Sequence, residues 1–119
     1  MLINHLFYCF EREMIKTNIL SINCALTREV LEEQYRYSIV TKREFDESGF
    51  YTHFKIPNDT RRLENDIKPF GNVQFNVNDL EYGVGCVLFI KDGILDFFEC
   101  YTNAESLPAE IKCFSVKNK

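Results

Sequence analysis

The 119-residue chain has no tryptophan, two histidines, three prolines and five glycines. His5 and His53 stand far apart in sequence and are too few to suggest a metal site. With so little proline and glycine, and no serine-rich tract or block of like charge, nothing marks a linker or a disordered segment. The five cysteines, Cys9, Cys24, Cys86, Cys100 and Cys113, are odd in number and contain no CxxC spacing. Neither a disulfide framework nor a zinc site follows, and the thiols are expected to pack as small hydrophobes in a reducing cytoplasm. In MLINHLFYCFERE the apolar stretch is short and closed by charges, without a basic lead-in or a small-residue cleavage site, so neither signal peptide nor membrane span is expected. Glycine-rich phosphate loops and a GK[ST] motif are missing, and no cofactor is expected. Basic charge is also short, with 14 Lys and Arg against 18 Asp and Glu and a formal net charge of -4. Nucleic-acid binding usually shows a basic face, so that class is disfavoured.

What is present is apolar and aromatic: 45% hydrophobic residues, with eleven Phe and six Tyr. A chain of this size is expected to form one domain, 1–119, with a core large enough to need no staple. Residues 1–13 can also be read as an upstream helical extension, because Met14 offers a second start. Ile3, Phe7, Phe10 and Met14 recur at helical spacing. Thr27 followed by Arg28, Glu29 and Val30 reads as an N-cap, predicting a helix from about Arg28 to Arg36. YSIVTKREF (37–45) and FYTHFKI (50–56) read as strands joined at ESG, and PNDTRRLEND (57–66) as the longest loop. GNVQFNVNDL alternates apolar and polar residues like a strand with one wet face, and IKCFSV (111–116) reads as an edge strand. The expected fold is α+β: a single antiparallel sheet of four to six strands with one or two helices packed on one face.

Residues 86–101, CVLFIKDGILDFFECY, are the strongest local signal. Asp92-Gly93 between apolar runs predicts a two-residue type I′ turn, whose central residues both need φ > 0. That loop would set Ile90 opposite Leu95, Leu88 opposite Phe97, Cys86 opposite Glu99 and Phe89 opposite Asp96. A period of two puts Glu99 on one face with Leu95, Phe97 and Tyr101, and Asp96 on the other. Since both faces are apolar, the hairpin is expected at the centre of the sheet, covered on each side. An unpaired buried carboxylate is costly, so each acid needs a partner or an open rim. One reading leaves Asp96 exposed at the sheet end and Glu99 paired with an arginine or a backbone amide. The other opens the end of the strand onto an interface. Carboxylates on opposite faces do not make an acid and base pair, and His53 with Cys86 or Cys100 lacks an elbow or an orienting group. No catalytic residue is therefore assigned.

GFYTHFKIP (49–57) and LFIKDGILDFFECYTNAESLP (88–108) resemble a family of small bacterial proteins with no assigned enzymatic activity. That family carries a glycine, aromatic, threonine, aromatic strand and a hairpin running into Glu-Gly-Tyr-Thr and then Trp-Pro. Glu99, Tyr101 and Thr102 match, while Cys100 replaces the glycine and Leu107 the tryptophan. In size, charge and style the chain is also similar to immunity proteins of bacterial toxin systems such as contact-dependent inhibition, which bind a toxin domain and block it. From Asp79 to Glu110 seven acids face one base, Lys91. The expected function is thus a cytoplasmic, non-enzymatic immunity protein that docks an acidic surface on a cognate toxin domain, with Glu81, Tyr82, Asp92, Asp96, Glu99, Tyr101 and Glu105 as contacts. The alternatives are a self-associating housekeeping or regulatory domain, paired through the 111–116 edge as a homodimer, and a small hydrolase using Glu99 and His53.

Overall fold

A computed structural model describes residues 2–117. The N-terminal apolar stripe continues further than its first four positions: α1 runs His5–Leu20. The side chain of Asn4 caps it by accepting the Phe7 N–H at 2.9 Å, which satisfies one of the donors left free at a helix start. Phe7, Phe10, Met14, Ile15 and Ile19 form a fully buried face, while Ile3 lies ahead of the cap and is exposed. Helix α2, Ala25–Tyr37, begins before the expected Arg28, with Cys24 in the cap position and Thr27 inside the first turn.

The strands are β1 Ile39–Asp46, β2 Gly49–Lys55, β3 Phe75–Val77, β4 Val84–Lys91, β5 Ile94–Thr102 and β6 Phe114–Val116. They form one sheet in the order β1-β2-β5-β4-β3-β6, and every named pair is antiparallel. The α+β expectation therefore holds, with β6 as the anticipated edge strand. Among the described residues no helix is long and apolar enough to cross a membrane. All five cysteines are free, with Cys86 and Cys100 buried side by side on adjacent strands.

Both helices lie on one face of the sheet. Phe7 packs on Phe50 at 5.1 Å between ring centroids, and Tyr35 meets Phe54 edge-on at 6.0 Å. Phe50, Thr52 and Phe54 of β2, Cys86 and Leu88 of β4, and Leu95, Phe98 and Cys100 of β5 are buried there. The hairpin is central, as expected, but among the described residues no helix covers its other face. Apolar residues on both sides of a strand look alike in sequence whether or not a second layer exists.

Three buried polar side chains fix this face. Glu11 of α1 accepts from Arg43 Nε and Nη2 at 3.0 and 2.7 Å and from Thr52 Oγ1 at 2.6 Å. Asn18 accepts the Val73 N–H at 2.8 Å and donates to the Met14 and Val73 carbonyls. It thereby claims the Val73 backbone groups that a longer β3 would give to a neighbouring strand on its N-terminal side, while Asp79, at φ 66°, turns the chain after Val77. Gln34 of α2 donates to the carbonyls of Arg61 and Gly93, both at 3.0 Å, and accepts the Leu95 N–H at 2.8 Å.

That last bond explains a correction to the hairpin register. The turn is as expected, with φ of 54° at Asp92 and 76° at Gly93, and Ile90 does face Leu95. Beyond it Phe89 pairs with Phe97, so Asp96 is an extra residue, a β-bulge. Every later pair moves by one: Leu88 faces Phe98, Val87 faces Glu99, Cys86 faces Cys100 and Gly85 faces Tyr101. Leu95 consequently leaves the face of Glu99 and turns into the core, where it is 1% exposed. The strict period of two fails at Asp96, and Gln34 takes the amide of Leu95 beside it.

Candidate functional site

With the bulge in place, the uncovered face of the sheet is built from rows that run across four strands. One row is Lys42, His53, Phe97 and Phe89, and the next is Glu44, Tyr51, Glu99 and Val87. Phe97 is the hub. It stacks on Phe89 at 4.2 Å with 12° between planes, and lies 5.5 Å from the His53 ring and 6.0 Å from Tyr51. These rings are half-buried. Further along, Tyr101 lies over Gly85, where an added Cβ would collide with the phenol ring. The glycine therefore lets the ring lie flat on the sheet.

Glu99 sits among these rings and accepts a hydrogen bond from Tyr51 Oη at 3.0 Å. That bond and the carboxylate's charge push the Tyr51 phenol above its ordinary pKa, because losing the proton would set two negative charges together. Among the described residues no cation pairs with Glu99. His53 Nε2 is instead 3.2 Å from Glu44 Oε1, and Lys42 reaches the same carboxylate at 3.1 Å. The Lys42 hydrogen bond, with its charge behind it, holds Glu44 below the usual carboxylate range. Glu99 and His53 thus have separate partners, and His53 lies on the face opposite the buried Cys86 and Cys100.

The seven anticipated contact residues fall into two groups. Glu81, Tyr82, Tyr101 and Glu105 meet at the end of the sheet where β5 finishes, with Glu99 just inside. Glu105 accepts the N–H groups of Glu81 at 2.9 Å and Tyr82 at 3.0 Å, so its carboxylate builds the loop that leaves Tyr82 exposed. Asp79, held at φ 66°, lies in the same loop. Glu47 joins this rim, accepting from Ser106 Oγ at 2.8 Å. Asp92 and Asp96 lie at the turn end, with Asp96 about 20 Å and Asp92 more than about 26 Å from Thr102 at roughly 3.3 Å per strand residue.

Sequence reasoning missed the residues that position this surface. Asp66 accepts both turn amides, Asp92 N–H at 3.2 Å and Gly93 N–H at 2.6 Å. The turn-rich run ending in Asp66 was a signal for a loop, not for which backbone it would bind. Gln34 on the helix and Tyr51 on β2 carried no signal for their roles. No group of three or more metal-ligating side chains occurs among the described residues. Compared with protein-family models, curated proteins and solved structures, the chain has no match in any of the three.

Proposed function

We propose that this chain is a non-enzymatic binding protein that docks the open face of its sheet on a protein partner, acting in the cytoplasm as an immunity protein against a cognate toxin domain. The observation that carries the reading is the uncovered aromatic face, Tyr51, Phe89, Phe97 and Tyr101 around Glu99, with an acidic rim at Glu47, Asp79, Glu81 and Glu105. None of these four rings is fully exposed, but each keeps part of its surface in water, and aromatic residues are enriched among the side chains that carry interface energy. The face runs about 30 Å along β5 at roughly 3.3 Å per strand residue, which suits a protein; small ligands take concave pockets. Glu99, already oriented by Tyr51 and with no cation beside it among the described residues, would receive a partner lysine or arginine among the rings. Tyr82 adds an anchor at the rim. Asp92 and Asp96 would touch only a partner long enough to reach the turn end.

The test is affinity for the protein encoded beside this one, measured against salt. A tight 1:1 complex that weakens as salt rises, and weakens further when Glu81 and Glu99 are changed to lysine, supports the reading. Tight binding indifferent to salt and to those reversals removes the electrostatic mechanism. Self-association is the competing class, and it would use the short β6 edge. Light scattering on the isolated chain would then report a dimer in place of a monomer.

A further inference from the structure

On the helix side of the sheet, away from the docking face, α1, α2 and β1 enclose a cleft of about 500 Å³. That is within the range of small-molecule sites. Its walls are chemically unlike the rest of the chain. Arg12 and Lys16 of α1 and Arg36 of α2 stand at its lip, Tyr8 and Tyr35 line it, and Ile19, Leu20 and Val40 supply aliphatic surface. In a protein of net charge -4, this is a concave region where cations outnumber carboxylates.

Of the two carboxylates that line it, Glu32, one helical turn before Arg36 on α2, offsets one positive charge, and the cations still outnumber it. Glu11 is buried and saturated by Arg43 and Thr52. Glu32 makes no ion pair among the described residues, and neither do Arg12, Lys16 and Arg36. Arg12 and Lys16 are one helical turn apart, a spacing at which like charges repel and which contributes nothing to folding. Tyr35 lines the cleft. Burial, and then the charge of Glu11, raise its pKa to about 12, so it stays a neutral donor. Tyr8 presents its ring beside the Arg43 guanidinium at 5.1 Å, leaving a flat aromatic wall.

We propose that this cleft binds a small organic anion, a phosphate or carboxylate carried on a flat apolar body, with Arg12, Lys16 and Arg36 holding the charged head and Tyr8, Tyr35 and Leu20 the body. The three cations give the head its complement, and the Tyr35 hydroxyl adds a neutral donor. This site is independent of the docking reading, since it uses neither the open sheet face nor its acidic rim.

The experiment uses the full chain and three probes, 1-naphthyl phosphate, inorganic phosphate and 1-naphthol, with titration followed by calorimetry and by amide chemical shifts. Saturable 1:1 binding of 1-naphthyl phosphate is expected, about tenfold or more tighter than either fragment, with shifts centred on Tyr8, Arg12 and Arg36. Arg12→Glu with Arg36→Glu, both at exposed positions, should weaken it by about tenfold or more at unchanged melting temperature. Tyr35→Phe, which keeps the ring, should weaken it by a smaller factor. Absence of saturable binding, shifts centred on the open sheet face, or an affinity unchanged by the double charge reversal would overturn the proposal. Inorganic phosphate binding as tightly as the naphthyl ester would overturn the part assigned to the apolar wall.

Discussion

Phe97 and Phe98 are neighbours in β5, yet they belong to two different surfaces. Phe98 is 0% exposed beneath the helices, in a layer where every buried polar side-chain atom among the described residues has a partner. Phe97 faces outward in a stack of rings that no other layer covers. On the buried face, polar groups are tied down by several bonds each: Glu11 has three, Asn18 and Gln34 likewise bridge separate segments. On the open face Glu99 has a single neutral partner, Tyr51. Hydrophobic burial explains the first surface, because an apolar face must be covered to stabilise a small domain. It does not explain the second, whose rings remain wet at a cost that folding alone does not require.

The sharpest contrast is therefore between adjacent substitutions. Phe98→Ala should cost about 4 kcal/mol in chemical denaturation, since it empties a closed core position. Phe97→Ala should cost about 1 kcal/mol, because its ring is half in water already and mainly loses the Phe89 stack. Equal losses at the two positions would show that the open face is covered in solution. Next in size is Glu11→Ala, expected to cost about 3 kcal/mol by stranding the Arg43 guanidinium that its carboxylate holds. Glu11→Leu with Arg43→Met should recover most of that loss, as replacing a whole buried ion pair with apolar groups often does. Failure of the double variant to recover would mean that Thr52, which also bonds Glu11, dominates the network.

A smaller effect comes from alkaline pH. Burial pushes the Cys86 thiol from 9.0 up to about 12 and the Tyr35 phenol from 10.0 up to about 12. Both groups bind their proton more tightly folded than unfolded, so this stabilisation is complete below pH 9 and is lost as pH rises towards 12. Urea midpoints across that window should fall in the wild type and fall less in Tyr35→Phe. Parallel curves for the two would remove Tyr35 from the account.

Much of the fold was legible because local chemistry decides it. Asp92-Gly93 needs no tertiary help to form its turn, and the β-branched and aromatic runs of β1 and β2 state their period plainly. The parts that were not legible depend on residues far away in the chain. The bulge at Asp96 is held by Gln34 of α2, and the N-terminal limit of β3 by Asn18 of α1. A register drawn from the turn alone had to carry the period of two straight through Asp96, which put Leu95 on the wrong face. The candidate site was half legible. Glu99 and Tyr101 lie on the uncovered face and Tyr82 beside it, whereas Glu105 serves its own loop and Asp92 serves the turn. That both faces of β5 are apolar was readable; that only one is covered was not, since coverage is a property of the helices.

The most direct test of the open face as the docking surface is the affinity of the Phe97→Ala chain for the partner encoded beside it. Buried aromatic anchors typically lose about 2 kcal/mol or more on truncation, roughly thirtyfold in Kd. A loss of that size, with the fold intact by circular dichroism, is the expected result. An unchanged Kd for Phe97→Ala, with binding abolished instead by charge reversal at Arg12 and Arg36, would place the interface on the helices and contradict it.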